Sequence, residues 1–234
     1  MIVSVFPRGL PEDIVMKLNQ KDWSCPKKQR SRFDTIIEQY RKNFAHSLPP
    51  EKQHWTMCGQ CSTATGDLLL GCEPIQMIES GLIKPAQFRG VEINTEIHDL
   101  NVKAFPELTF INNDFYRAIA DAIHDGDFNP GIVNADFPAT PDGAVAYIAK
   151  LMSMLTSTAS DFLLIVNLIL RMRYYTRKDG GHLIKLLNEY PQFRFAWNSG
   201  GWELCSDYYE YNGAGETGSR TYMGSFIFVR KDYE

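Results

Sequence analysis

The sequence predicts an α/β fold, in which a mostly parallel sheet is flanked by helices and ends in an antiparallel β-hairpin. From His54 onward, short β-like runs alternate with helical stretches, which is typical of parallel strands joined by crossover helices. Two aromatic-rich β runs, Trp202–Tyr211 and Tyr222–Lys231, follow near the end, and the glycine-containing segment NGAGETGSR suits a hairpin connection between them. With 44% hydrophobic and 22% charged residues, the 234-residue chain has the composition of a well-cored globular domain.

Five β/α units are predicted in sequence order. The strands are expected at His54–Met57, Phe88–Glu92, Leu108–Asn112, Gly131–Asn134 and Phe162–Leu168. The helices that follow them are expected at Pro74–Ile83, Thr95–Ala104, Tyr116–His124, Gly143–Ser157 and His182–Tyr190. No internal repeat interrupts this alternation.

The position of the first strand has an alternative, Asp67–Gly71. Gly71 precedes Glu92 by twenty-one residues, near the separation of about 20 between the glycine turn and the acidic residue of a nucleotide-binding unit. We prefer His54–Met57, because Pro74 and the apolar periodicity after it indicate a helix into which GDLLLGCE leads.

The first fifty residues are less regular than the rest of the chain. We predict an N-terminal helical extension over residues 1–50 and an α/β domain over residues 51–234. A helix is expected across Ser31–Phe44, and Pro49 and Pro50 end it. Its neighbourhood is basic and includes Lys27, Lys28, Arg30, Arg32, Arg41 and Lys42.

Charge, hydropathy and cysteine content limit the partners and the cellular location that we expect for the protein. The net charge of −4 gives no general basic footprint for nucleic acid, so such binding would need a local patch. The apolar run FLLIVNLIL is too short for a membrane-spanning helix, and the N-terminal sequence does not have the pattern of a secretion signal. Five cysteines form an odd set, so we expect reduced thiols, a cytoplasmic location and no membrane.

The residues that follow the strands are the candidates for a ligand site, because ligands of open α/β sheets bind outside the carboxyl ends of the strands. These residues are Cys58, Gly59 and Gln60 after strand one, Glu92 at the end of strand two, Asn113 and Asp114 after strand three, and Asn134, Ala135, Asp136 and Phe137 after strand four. The Glu92 carboxylate can accept hydrogen bonds from both hydroxyls of a ribose, and Asn113 and Asp114 are placed to meet an adenine edge.

With these strand ends, residues 52–231 resemble the class I (Rossmann-like) S-adenosylmethionine-dependent methyltransferases, whose parallel sheet also ends in an antiparallel hairpin. The resemblance implies S-adenosylmethionine as the cofactor and methyl transfer as the activity. It places Cys58, Gly59 and Gln60 against the methionine end of the cofactor. Glu92 would hold the ribose, and Asp114 would lie at the adenine.

The fourth strand end is similar to a motif of methyltransferases that act on amino groups of nucleic-acid bases, in which Asn or Asp, two prolines and an aromatic residue follow one another. Here Asn134 and Phe137 match, and Ala135 and Asp136 stand in place of the prolines. The resemblance implies that the polar side chain holds the target amine and that the ring stacks on an extruded base. From its chemistry, Asp136 is equally suited to be the general base of an oxygen-directed enzyme.

The segment HWTMCGQC keeps two other interpretations open. His54, Cys58, Cys61 and Cys72 make a chemically adequate zinc set, although a second CxxC or an HxxxH pair is missing. A CxxC after a strand is also typical of thioredoxin-like redox sites, and that interpretation predicts a thiol with a depressed pKa. We expect no metal, and small buried thiols lining a tight turn.

A basic and aromatic run after strand five is the remaining candidate surface. RMRYYTRKDGG places Arg171, Arg173, Tyr174 and Tyr175 on the ligand side of the sheet, where they suit a phosphate-bearing substrate with stacking bases. A solvated loop has the same composition. The sequence also permits a binding module with a degenerate cofactor turn, and it gives no oligomeric state.

Overall fold

The strands form one seven-stranded sheet in the order β3-β2-β1-β4-β5-β7-β6. The computed structural model describes residues 26–62, 72–137, 139–158, 161–170, 181–214 and 220–231. β1 to β5 are parallel, and β7 runs antiparallel between β5 and β6. The predicted fold class is therefore confirmed, including the antiparallel end.

The strand positions agree closely with those expected from sequence. Their bounds are β1 Gln53–Met57, β2 Phe88–Val91, β3 Thr109–Ile111, β4 Pro130–Asp136, β5 Phe162–Leu170, β6 Trp202–Ala214 and β7 Arg220–Arg230. The first strand is thus the preferred one, and the alternative at Asp67–Gly71 lies outside the described residues. One difference bears on function, because β4 continues two residues beyond its expected end at Asn134.

The helices follow the expected order, with one addition. They are α1 Pro26–Asn43, α2 Glu73–Glu79, α3 Thr95–Ala104, α4 Phe115–His124, α5 Pro141–Thr156, α6 Gly181–Leu187 and α7 Pro191–Asn198. The sequence analysis did not predict α7, and it extended α2 to Ile83, whereas the helix ends before Gly81, whose φ of 71° suits a glycine. Within the described ranges, no helix combines the length and apolar character needed to cross a bilayer.

Two hydrophobic clusters cover the two faces of the sheet, because successive side chains of a strand point to opposite faces. In β5, Leu163 and Ile165 belong to the cluster under α1 and α2, which we call the α1 face. Leu164, Val166 and Leu168 belong to the cluster under α4 to α7, which we call the α5 face. The continuous apolar sequence of β5 therefore reflects burial on both sides.

Helix α1 packs against the sheet through its apolar residues. Phe33, Ile36, Ile37 and Tyr40 are all buried in the cluster of the α1 face. The helix thus contributes to the same core as the β/α units, and the division of the chain at residue 50 stays a prediction.

Candidate functional site

The crevice favoured by topology lies between the carboxyl ends of β1 and β4. The chain builds β2 and β3 on one side of β1 and then returns to build β4 and β5 on the other, so the strand order reverses at this point. Adjacent strand ends are tied by backbone hydrogen bonds. The amide of Cys58 donates to the carbonyl of Val91 over 2.9 Å, and the amide of Glu92 donates to Ile111 over 3.0 Å. The ends of the first three strands are therefore neighbours.

The turn after β1 is held from below by a buried asparagine of α3. Asn101 accepts a hydrogen bond from the amide of Cys61 at 2.9 Å and donates to the carbonyl of Gly59 at 3.0 Å. Its amide thus fixes both ends of the short turn. Gly59 itself is exposed, and a Cβ added there would meet no atom of the described residues within 4 Å. Among the described residues, nothing covers the turn on the side where a ligand would approach its backbone.

Cys58 and Cys61 are buried beneath this turn with their sulfur atoms 3.5 Å apart. The hydrogen bond from Cys61 favours the Cys58 thiolate, but burial and the negative charges of Glu73, Cys72 and Glu92 together outweigh it, so the pKa of Cys58 is raised. The hydrogen bonds with Cys58 and Cys72, together with burial, raise the pKa of Cys61 well above its ordinary value. These shifts are opposite to the depressed pKa that the redox interpretation predicts.

The zinc interpretation gains no support from the described geometry. Among the residues that the structure describes, no group of three or more His, Cys, Asp or Glu side chains is placed to hold a metal ion. His54, which the zinc set would require, instead lies with Nε2 at 2.7 Å from a carboxylate oxygen of Glu73.

Glu92 lies at the carboxyl end of β2, and its side chain is half-buried. One carboxylate oxygen accepts the amide of Asn94 at 2.7 Å, which orients the carboxyl group at the start of α3. The next residue, Ile93, is 70% exposed. An oriented acidic group beside an exposed apolar side chain has the chemistry that a nucleoside needs, since hydroxyls and a flat base must both be contacted.

Asn113 and Asp114 mainly organise the start of α4. Asp114 is the N-cap, and its Oδ1 accepts the amides of Tyr116 at 3.0 Å and Arg117 at 3.1 Å. Asn113 accepts the amide of Asp114 at 2.9 Å and donates to Asp121 at 3.3 Å. Both residues are at the expected edge of the sheet, and both have structural hydrogen bonds there.

Of the residues predicted to contact the methyl acceptor, Asn134 is buried, whereas Asp136 and Phe137 lie at the end of β4. Asn134 lies inside β4 and is fully buried, so its side chain does not line the open edge. Asp136 is the last residue of the strand and Phe137 follows it, and both are half-buried. The amide of Phe137 donates to the carbonyl of Asn167 on β5 over 3.0 Å. Asp136 and Phe137 therefore flank the crevice, with Asn134 behind them.

Sequence reasoning missed a buried carboxylate at the centre of this region. Glu73, the first residue of α2, accepts hydrogen bonds from Nε2 of His54 at 2.7 Å, from Oγ1 of Thr56 at 2.7 Å and from Nδ2 of Asn134 at 2.8 Å. Burial of a carboxylate is costly unless donors replace its hydration, and here three donors do so. Nothing in the local sequence CEPIQ distinguishes this glutamate from an ordinary residue of a first helical turn.

The polar contacts continue from Asn134 across the sheet. Asn167 donates to Oδ1 of Asn134 at 2.7 Å, and Ser225 of β7 donates to Oδ1 of Asn167 at 2.5 Å. We call the set His54, Thr56, Glu73, Asn134, Asn167 and Ser225 the Glu73 network. It joins α2 to four strands of the sheet on the α1 face. The proposed substrate residues Arg171, Arg173, Tyr174 and Tyr175 lie outside the described residues.

Comparisons with known proteins find similarity at the level of structure. No protein-family model and no curated protein matches the chain. A TehB-like SAM-dependent methyltransferase from Corynebacterium glutamicum is 12% identical, with 90% of this chain and 100% of that chain covered at a TM-score of 0.44. DesVI from Streptomyces venezuelae is 12% identical, with 95% and 99% covered at a TM-score of 0.49. A SAM-dependent methyltransferase from Anabaena variabilis is 11% identical, with 94% and 91% covered at a TM-score of 0.49.

The strand order of this chain, rather than sequence identity, is the basis for the resemblance to this family. The sheet adds β2 and β3 on one side of β1 and β4 and β5 on the other, all parallel. The antiparallel hairpin of β6 and β7 completes it. This is the arrangement that the resemblance to class I S-adenosylmethionine-dependent methyltransferases leads us to expect. The resemblance is therefore confirmed for the fold.

Proposed function

We propose that the protein transfers a methyl group from S-adenosylmethionine at the carboxyl edge of β1, β2 and β4. One observation carries this proposal. The backbone bond between Cys58 and Val91 sets the open turn at Gly59 directly beside the strand end that bears Glu92. An acidic acceptor and an unobstructed backbone turn thus lie together at the side of the crevice where a nucleoside ligand binds in such sheets.

The residues at this edge suit the parts of the cofactor. Glu92 would accept hydrogen bonds from the ribose hydroxyls, and exposed Ile93 would cover one side of the adenine. Asn113 and Asp114 would lie at the adenine edge, while Cys58, Gly59 and Gln60 would face the methionine end. S-adenosylmethionine supplies an electrophilic methyl group on a sulfonium, so the protein contributes chiefly the alignment of a nucleophile.

We place the methyl acceptor at Asp136 and Phe137, and we propose an amino group of a nucleic-acid base as that acceptor. Asp136 would accept a hydrogen bond from the amine and take its proton after transfer. Phe137 would stack on the base. Asn134, which the sequence motif offered for the amine, would act from behind them, since its amide protons are directed to Glu73.

The proposal of nucleic acid as a partner rests on the composition of the sequence that follows β5. The run that contains Arg171, Arg173, Tyr174 and Tyr175 combines cations for phosphates with rings for bases.

The buried Cys58 and Cys61 thiols, which lie near one another as free cysteines, suit the reducing cytoplasm in which we place the protein.

A transfer assay tests this function directly. The protein is incubated with methyl-labelled S-adenosylmethionine and, separately, with RNA, denatured DNA and free nucleosides. We expect label on a nucleic-acid base, and we expect Asp136→Ala to lower the rate by about 10²-fold, the lower limit for loss of a general base. Asp125→Ala removes an exposed carboxylate beyond α4 and serves as the control. Cofactor binding without transfer to any of these acceptors would contradict the proposed acceptor and favour a binding module.

A further inference from the structure

The Glu73 network has a fixed direction, which is set by its central carboxylate. Nδ2 of Asn134 donates to Glu73, so the carbonyl oxygen of the same amide faces the other side, an orientation that suits a carboxylate as hydrogen-bond acceptor. Asn167 then has to donate to that carbonyl, and its own carbonyl accepts from Ser225. Every donor in the series thus points towards Glu73, and one group on α2 determines the orientation of two buried amides.

The same carboxylate reaches both walls of the crevice. Thr56, which donates to Oε2 of Glu73, precedes the turn at Cys58 by two residues on β1. Asn134, which donates to Oε1, precedes Asp136 by two residues on β4. Since residues two apart along an extended chain share a face, Thr56 lies on the same face as Cys58, just after β1, and Asn134 on the same face as Asp136, the last residue of β4. Thr56 and Asn134 are also strand partners.

A second set of hydrogen bonds connects the Glu73 network to Phe137, which is proposed to contact the methyl acceptor. Asn167 is the β5 partner of Asp136, and its backbone carbonyl accepts the amide of Phe137. Its side chain is held between Asn134 and Ser225, so the position that anchors Phe137 is also fixed by the network. Both residues proposed to meet the acceptor are therefore anchored to groups that Glu73 organises.

We propose that Glu73 is a positioning residue, which holds the turn after β1 and the Asp136–Phe137 segment in one fixed relation through Thr56, Asn134 and Asn167. The functional meaning of this role rests on the proposed methyl transfer, because that reaction needs the cofactor turn and the acceptor segment aligned. A misplacement of about 1 Å is enough to cost an enzyme roughly 10²-fold in rate.

Two substitutions separate positioning from general packing. Glu73→Gln keeps an oxygen for His54 and Asn134, and its NH2 group can donate to the Thr56 hydroxyl, which is able to accept. Glu73→Ala removes the acceptor of the hydrogen bonds from His54, Thr56 and Asn134. The matched control is Gln87→Ala, because Gln87 is equally buried and its NH2 group donates to the carbonyls of Leu48, Pro49 and Lys52 at the opposite edge of the sheet.

Amide hydrogen exchange measured by NMR gives a readout that does not depend on catalysis. The reporters are the amides of Cys58 and Phe137, which bond across the strand ends, and the amide of Ile148 in the core of α5 reports global opening. We expect Glu73→Ala to speed exchange at Cys58 and Phe137 on the order of tenfold relative to Gln87→Ala, with Ile148 alike in the two variants. Glu73→Gln should stay within about threefold of the wild type at both reporters.

The result that overturns the inference is equal exchange at Cys58 and Phe137 in Glu73→Ala and Gln87→Ala. A titration with S-adenosylmethionine on the same samples keeps the two proposals apart. If the wild-type protein binds no S-adenosylmethionine, the proposed function fails, whereas the exchange rates still decide whether Glu73 positions the two segments.

Discussion

Nδ2 of Asn134 lies 2.8 Å from Oε1 of Glu73, and this bond joins two buried residues that are 61 positions apart in the chain. It explains why a polar residue tolerates the interior of β4, where the sequence alone suggested the end of the strand. It also directs the Asn134 side chain away from the open edge of the sheet, which is why we propose Asp136 and Phe137 as the residues that contact the methyl acceptor. The buried amide and the open edge therefore have separate tasks in the proposed site.

Asn134→Asp should be strongly destabilising. The substitution replaces the donating NH2 group by a carboxyl oxygen beside Glu73 in a buried site, where either two like charges meet or one carboxyl group has to take up a proton, so we expect a loss of about 3 kcal/mol in the free energy of unfolding. Urea denaturation measures this loss. Asn188→Asp, at an exposed position after α6, should change the value by less than about 0.5 kcal/mol. A mild effect at Asn134 would show that the bond to Glu73 does not matter for stability.

Gly59→Ala should spare the fold and impair the site. The added methyl group meets no atom within 4 Å in the part of the chain that the structure describes, so the free energy of unfolding should change by less than about 0.5 kcal/mol. If the cofactor approaches this turn closely, its affinity should fall on the order of tenfold in a calorimetric titration. Gly90→Ala is the contrasting variant, because its Cβ would lie 2.8 Å from the Phe110 ring, and it should cost about 1–3 kcal/mol of stability. Unchanged affinity in Gly59→Ala would move the cofactor away from this turn.

The buried thiols should make the protein less stable in alkali. The pKa values of Cys58 and Cys61 are raised in the folded protein, so the unfolded chain releases these protons first as the pH rises above the ordinary value of 9.0. Their contribution to stability is complete below that value and is lost as the pH rises through the folded pKa values. The free energy of unfolding should thus fall with pH more steeply in the wild type than in Cys58→Ala/Cys61→Ala. Equal slopes in the two proteins would show that these thiols have ordinary pKa values.

Asp114 offers a test of whether a capping residue also serves the cofactor. Asp114→Ala removes the acceptor for the amides of Tyr116 and Arg117 and should cost about 1 kcal/mol of stability. Asp114→Asn keeps a good N-cap and should leave stability near the wild-type value. If the carboxylate contacts the adenine, the asparagine variant should still bind S-adenosylmethionine more weakly in calorimetry. Wild-type affinity in that variant would limit Asp114 to its structural role.

Local patterns were sufficient to predict most of the sheet. The strands and the final hairpin were found because alternating or continuous apolar runs and turn residues act over a few positions. Helix α7 carried similar signals, with Pro191 at its start and buried Phe193 and Ala196 at helical spacing, and it could have been found from them. Pro26 likewise marks the start of α1, five residues before the expected one.

The hydrogen bonds in the interior of the candidate site could not be predicted from local sequence patterns. Whether Asn134 ends β4 or lies within it depends on a buried partner that belongs to α2. Glu73 gave no signal of its own, since a single acidic residue in a first helical turn is common for electrostatic reasons. The positions of Glu92 and Cys58 were predictable, because strand ends follow from the order of elements, but their hydrogen bonds to Asn94 and Val91 required the folded structure.

Calorimetric titration with S-adenosylmethionine of the wild type, Glu92→Ala and Glu96→Ala tests the central claim most directly. Glu96 is an exposed acidic residue in the first turn of α3, four positions from Glu92, so its variant controls for a change of charge at the same edge. We expect micromolar binding by the wild type and by Glu96→Ala, and no detectable binding by a folded Glu92→Ala. Equal affinity in all three proteins would contradict the ribose role of Glu92, and absence of binding to the wild type would contradict the methyltransferase site itself.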